Sequence, residues 1–175
     1  MENELIPIVK RAKAGDKEAL IELIMSQKQD YYRLAYVFMK NHDDTLDVME
    51  DMILKVYENI KKLKDENVFD SWSKTILVNC CKNNLRRKSR VTLFRNIPEG
   101  SHDEDHFKVK DEQLYIEKHL EKLNQKYQEV LKLRYYLDLD YQSIAGILKI
   151  PLGTVKSRIH TGLLKLKQSM GSETE

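Results

Sequence analysis

Apolar positions along this chain recur every three or four residues, and no stretch alternates with a period of two. That rhythm predicts helices throughout and an all-α fold. A first helix is predicted over 5–13, ended by Ala14-Gly15, with Asp16 capping the next. The second carries Ala19, Leu20, Leu23 and Ile24, then Tyr31, Leu34, Ala35 and Phe38, and stops at the polar run Asn41-His42-Asp43-Asp44. A third, over 45–60, puts Leu46, Met49, Ile53, Val56 and Ile60 on one side and Asp47, Glu50, Asp51, Lys55 and Glu58 on the other. A polar loop over 63–68 leads into a fourth helix over 70–87, with Trp72, Ile76, Leu77 and Cys80 inward. Around Pro98, Gly100 and Ser101 the rhythm fails, so 91–112 reads as a linker. Helix resumes near 113, with Ile116, Leu120 and Leu123 inward, and again over 125–137.

The segment 141–167 reads as two short helices joined by a turn. Asp140 is placed to cap the first, in which Ile144, Ala145 and Leu148 share a face, and the small Ala145 and Gly146 would let a second helix cross closely. Pro151 lacks an amide donor and breaks the helix, so the second is predicted to start near Thr154. Val155, Ile159, Leu163 and Leu166 would face inward there, leaving Lys156, Ser157, Arg158, His160 and Thr161 outside. Five Lys or Arg lie between Lys149 and Lys167 with no acidic residue among them. A helix entering the major groove needs that combination of charge for phosphates and polar groups for base edges. An ordinary helical hairpin with a solvated basic face satisfies the same pattern.

At 175 residues and 41% hydrophobic, the chain suffices for two small helical domains and is thin for one large core. The net charge of +2 conceals segregation. Residues 1–70 hold 15 acidic and 11 basic side chains, 82–95 six basic and none acidic, and 99–112 six acidic and two basic. On the fourth helix Lys74, Asn79, Lys82, Asn83, Arg86 and Arg87 occupy the surface left by the apolar stripe, and aromatic and amide groups beside a basic helix end make a platform for unstacked bases. By burial preference Phe69 and Trp72 are more often core residues than base-stacking ones.

Other classes fare worse. Cys80 and Cys81 are adjacent, which suits neither a spaced metal site nor a structural disulfide, and points to a reducing cytosol. His42, His102, His106, His119 and His160 are scattered, and no Gly-rich phosphate loop appears, so catalysis, a cofactor and a metal are not expected. No apolar run approaches the roughly 20 residues of a membrane span, so membrane insertion is not expected either.

The order of motifs resembles bacterial RNA polymerase sigma factors of the extracytoplasmic-function type, in the sigma-70 family. The residues that carry the resemblance begin with Ala14-Gly15-Asp16, Asp47, Lys55-Val56-Tyr57-Glu58-Asn59-Ile60, Phe69, Trp72, Ile76, Asn79 and Leu85-Arg86-Arg87. They continue with Gln128-Glu129-Val130-Leu131-Lys132-Leu133-Arg134-Tyr135, then Gly153-Thr154-Val155-Lys156-Ser157-Arg158 and His160. The chain departs from the family in having Thr45-Leu46-Asp47 with Glu50-Asp51 where Ala-Glu-Asp and Gln-Glu are usual. It also has Lys149 where glycine usually ends the first hairpin helix.

The resemblance implies a region 2 domain over 1–90, a flexible acidic linker over 91–112 and a region 4 domain with a helix-turn-helix over 113–170. It implies an alternative sigma factor of the stress-response kind, acting in the cytoplasm, with core RNA polymerase and promoter DNA as partners and an anti-sigma factor, often membrane-bound, as inhibitor. Asp47, Glu50, Asp51, Leu54 and Tyr57 would meet the polymerase. Lys64, Asn67, Phe69, Trp72, Lys74, Asn79, Asn83, Arg86 and Arg87 would hold the opened −10 strand, and Thr154, Lys156, Ser157, Arg158, His160 and Thr161 would read the −35 duplex. Asp103, Glu104 and Asp105 of the linker would either imitate nucleic acid in the polymerase channel or belong to a plain tether. A dimeric helix-turn-helix regulator that works without polymerase is the competing expectation.

Overall fold

A computed structural model describes residues 2–95 and 111–171, with side chains over 5–88 and 115–171. The chain divides into two compact units, Met1–His102 and Asp103–Glu175. Among the described residues every regular element is helical. The acidic cluster at 103–105 and most of the expected linker lie outside them.

The first unit holds α1 (Glu2–Lys13), α2 (Lys17–Ser26), α3 (Lys28–Met39), α4 (His42–Asn59) and α5 (Phe69–Arg95), with 3-10 turns Ile60–Lys62 and Glu66–Val68 between the last two. Gly15 ends α1 at φ 103°, with the Asp16 amide bonded to the Arg11 carbonyl at 3.1 Å, and the Asp16 side chain then accepts the Ala19 amide at 3.0 Å. Only glycine takes such a φ freely, which is why the two helices separate here.

The helix expected from 17 to about 40 is two helices. Gln27 leaves helical geometry at φ −113°, ψ 9°, while the Ser26 hydroxyl donates to the Leu23 carbonyl at 2.8 Å, a local bond that competes with the helical ladder. The polar run before α4, expected as a break, supplies its cap. Asn41 Oδ1 accepts the Asp44 amide at 2.8 Å, so the helix starts at His42 instead of 45.

The buried face of α4 is rotated from the expected one. Thr45, Val48, Met49, Met52 and Val56 are buried, whereas Leu46 is exposed. Thr45 enters the core because its hydroxyl donates to the Asn41 carbonyl at 2.6 Å.

Helix α5 continues past the expected 87 through 91–95, which the lost apolar rhythm had placed in the linker. It buries Phe69, Ser73, Leu77, Val78, Cys80, Cys81 and Asn84. Tyr31 of α3 donates its phenol proton to Ser73 Oγ at 2.8 Å, and burial pushes that phenol well above its ordinary pKa.

The second unit holds α6 (Asp111–Glu121), α7 (Gln125–Tyr135), α8 (Tyr141–Leu148) and α9 (Leu152–Gly171). Its core joins Leu120, Val130, Leu131, Leu133, Ile144, Ile147, Val155 and Ile159. Asp140 caps α8 as expected, accepting the Ser143 amide at 2.8 Å. Lys149 ends α8 at φ 53°, a left-handed position that costs lysine about 1 kcal/mol relative to glycine.

Three expected core positions face outward or nearly so: Leu163 and Ile116 are each 40% exposed, and Gly146 is exposed too. The residue that lets helices approach is Gly162, buried against α7, where an added Cβ would lie 3.1 Å from Leu131 Cδ1. The inward stripe of α9 therefore runs Val155, Ile159, Gly162, Leu166.

Candidate nucleic-acid interface

Along α5, Trp72, Ile76, Asn79, Asn83 and Arg86 follow one another at spacings of four, three, four and three. They share one side of the helix, with Arg87 at its edge. Asn79, Asn83, Arg86 and Arg87 are exposed, while Trp72 and Ile76, expected in the core, are only half-buried.

The reason is a cleft of about 320 Å³ between α4 and α5, lined by Lys55, Asn59, Lys62, Trp72, Ile76 and Asn79. Its polar groups hold one another. Lys62 Nζ donates to Asn59 Oδ1 at 3.0 Å, Asn59 Nδ2 donates to the Lys55 carbonyl at 2.9 Å, and Lys55 Nζ reaches Cys80 Sγ at 3.3 Å. Burial keeps the Cys80 thiol above its ordinary pKa, so it serves as a neutral acceptor. An indole, two amides and two ammonium groups around one opening suit a planar, hydrogen-bonding base attached to a phosphate.

Lys55, Asn59, Lys62 and Ile76 carried no nucleic-acid assignment in the sequence. Their meeting is tertiary, and only the i to i+4 spacing of Lys55 and Asn59 hinted that those two share a face.

Two expected contacts are corrected. Phe69 is 2% exposed, its ring tilted against Trp72 with centroids 6.0 Å apart, so it supports the indole from the core and offers no face to a base. Lys74 lies about 200° around the helix from Trp72. It pairs with Asp70 at 2.8 Å and is only 17% exposed. Lys64 and Asn67 are exposed in the loop between the two 3-10 turns and just beyond it.

On α9, Lys156, Ser157 and His160 are exposed, and Thr154, Arg158 and Thr161 are half-buried. With Val155 and Ile159 seated in the core, Ser157 and Thr161 lie near the outer pole. Lys156 and Arg158, two residues apart and so about 200° around the helix, occupy opposite flanks. Basic flanks around a polar centre put charge toward both walls of a groove and short side chains toward its floor. No acidic residue occurs anywhere in α9.

The outer side of α4 has the opposite character. Asp47, Glu50, Asp51, Leu54 and Tyr57 are all exposed on one face, Leu54 at 61% and Tyr57 at 52%. Apolar side chains exposed among carboxylates mark a protein-docking surface better than a DNA-facing one.

Among the described residues no group of three His, Cys, Asp or Glu is placed to hold a metal, and no helix is long and apolar enough to cross a membrane.

A protein of two units, helical throughout its described residues, with a polar, tryptophan-lined cleft in one and a helix-turn-helix in the other, is the class this geometry defines. Residues 23–91 match the family model of sigma-70 region 2, and residues 113–166 match that of sigma-70 region 4. The chain is similar to RNA polymerase sigma factor SigV of Bacillus subtilis, 29% identical with 93% of this chain and 98% of that protein covered. It is also similar to ECF RNA polymerase sigma factor SigW of the same organism, at 27% with 93% and 94% covered. Among solved structures, CnrH in complex with the cytosolic domain of CnrY shares the fold at a TM-score of 0.68 and 19% identity, with 95% of this chain and 97% of that one covered. The sigma factor RpoE of Bartonella quintana, in complex with the anti-sigma factor NepR, does so at 0.64 and 20%, with 86% and 95% covered. The chain belongs to the sigma-70 family, as a sigma factor of the extracytoplasmic-function type. Such proteins are non-catalytic initiation factors that act with RNA polymerase in promoter-specific transcription.

Proposed function

We propose that this chain is an alternative sigma factor that docks on core RNA polymerase through the outer face of α4, captures the melted −10 strand along α5, and reads the −35 duplex with α9. In this reading a region 2 domain that ends with α5 and a region 4 domain that begins with α6 are joined by the acidic segment between those helices, and the protein works in the cytoplasm. The observation that carries the reading is the cleft between α4 and α5, where Trp72 and Asn79 meet Lys55, Asn59 and Lys62. Extruding a base costs a few kcal/mol of stacking, and re-stacking on an aromatic ring returns about 1–3 kcal/mol before any edge hydrogen bond forms. Opening is therefore capture by binding, without nucleotide hydrolysis. Lys156 and Arg158 would engage phosphates, while Thr154, Ser157, His160 and Thr161 approach base edges. Each unit alone offers few contacts, and tethering both on one polymerase raises the effective concentration of the second. An anti-sigma factor, of the kind bound to the Bartonella RpoE, would act here by covering exposed Leu54 and Tyr57.

Run-off transcription from a genomic promoter library tests this. Core polymerase with the chain is expected to yield discrete starts, and either component alone none. Operator binding by a dimer of the isolated chain, with no transcript from the reconstituted mixture, would establish the regulator instead.

A further inference from the structure

Helix α1 lies outside the stretch matched to region 2, which begins at residue 23, yet its last turn reaches the loop that rims the cleft. Lys13 pairs with Glu66 across 53 residues of sequence, both side chains 22% exposed, and Val9 and Ala12 of the same helix are buried. Within the loop, Asp65 Oδ1 accepts both the backbone amide of Asn67 at 2.9 Å and its Nδ2 at 2.7 Å. Lys13 holds the Glu66 carboxyl below its ordinary pKa through their hydrogen bond. Asp65 is lowered first by the Asn67 amide and to a smaller extent by the charge of Lys13. The loop leaves from Lys62 and returns toward Trp72, both of which line the cleft.

An ionised carboxylate only accepts, so the Asn67 group facing Asp65 is the NH₂, and its carbonyl oxygen is the end left for another partner. We propose that α1 is the strut that sets base preference at this loop. Lys13 is a positioning residue acting through Glu66, and it fixes Asn67 so that its Oδ1 accepts from the exocyclic amine of a captured adenine or cytosine. The inference rests on the reading of the cleft as a base-capture site. Guanine and thymine present a carbonyl oxygen at the matching edge, and two acceptors facing each other repel.

The test assembles the full chain with core polymerase, incubates it with a pool of short single-stranded DNA of randomised sequence, and sequences the retained DNA. At one position of the recovered motif, adenine or cytosine is expected to be enriched about threefold to tenfold, the factor of a single hydrogen bond. Lys13→Ala, Glu66→Ala and Asn67→Ala are each expected to flatten that position while leaving affinity for core polymerase unchanged. Lys13→Arg keeps the preference, and the reversed pair Lys13→Glu with Glu66→Lys restores it. Undiminished enrichment in Lys13→Ala, no recovery in the reversed pair, or enrichment of guanine or thymine overturns the strut. Trp72→Ala separates the two readings. If it binds the pool as the wild type does, the cleft reading falls and the strut with it; if it loses binding while Lys13→Ala keeps full enrichment, only the strut falls.

Discussion

Replacing Gly162 and Gly153 by alanine makes the same chemical change twice in one helix, in opposite surroundings. Helix propensity favours alanine at both sites, by about 1 kcal/mol in a helix interior and less near an end. At Gly153 an added Cβ meets nothing within 4 Å, so the gain stands. At Gly162 it would sit 3.1 Å from Leu131 Cδ1, 3.3 Å from Leu131 Cγ and 3.4 Å from Tyr127 Cβ. Ordinary carbon contacts lie at about 3.5–4.0 Å, so Leu131, which is 2% exposed, has to retreat by about half an ångström inside a filled core. Overpacking of that order costs about 1–3 kcal/mol, which outweighs the propensity gain and leaves Gly162→Ala about 1 kcal/mol less stable than the parent. The two variants should then differ by about 2 kcal/mol. Amide hydrogen exchange suits a chain of two units, because it reads each helix separately. Amides of α7 and α9 should exchange about fivefold faster in Gly162→Ala and more slowly in Gly153→Ala. Slower exchange in both would mean that α9 does not cross α7 as closely as the structure has it, and the account of Gly162 would be wrong.

Arg158→Ala is expected to weaken binding to upstream duplex across sequences and to lower the slope of affinity against salt by about one, as for the loss of one phosphate contact. Asn79→Ala should leave that slope alone and reduce promoter opening, read by permanganate reactivity of unpaired thymines; loss of the same step in both variants would refute the division of labour. Leu54→Ala or Tyr57→Ala should each cost about 1 kcal/mol or more of affinity for core polymerase in a direct binding assay with no change in unfolding, since both side chains are more than half exposed. The Asp140 carboxyl is held below the ordinary aspartate range by the Ser143 amide, then by the Ser143 hydroxyl. Because its folded pKa is the lower one, its support for α8 is complete above the unfolded value, near pH 4, and fades as pH falls through the folded value. Exchange protection in the first turn of α8 should drop over that acid range in the parent and stay flat in Asp140→Asn.

What was legible in the sequence was local chemistry. Asp16 and Asp140 announce helix starts because a cap is made within three residues, and Gly15 announces a stop because of one backbone angle. The errors came where a second element decides. The apolar pattern of α9 accommodates either Gly162 or Leu163 at its seam, and only the nearness of Leu131 selects the glycine. Apolar residues on both sides of Gln27 gave no sign of a break that consists of one residue leaving helical geometry. Trp72 and Ile76 keep the spacing of a core stripe, yet they stop half-buried at the cleft wall. Asn59 and Lys62 reach the same wall from the end of α4 and the turn after it, so no window of a few residues contains the site.

The sign of charge assigns faces that periodicity cannot. Helices α4 and α5 each bury one set of side chains and pack against each other, so burial alone would let the outer face of either meet DNA. On α4 that face sets Asp47, Glu50 and Asp51 around Leu54 and Tyr57, and bringing it to phosphate would add repulsion while leaving the exposed apolar groups uncovered. On α5 the corresponding stripe ends in Arg86 and Arg87 and contains no carboxylate from Trp72 onward. The cleft lies where the two helices meet, and there Lys55 and Lys62 turn the α4 side locally positive without altering the acidic outer face. Helix α4 with the turn that follows it can thus present carboxylates to a protein and ammonium groups to a strand. A charge reversal confined to Lys55 should therefore damage strand capture and leave docking intact, whereas reversal at Asp51 should do the opposite.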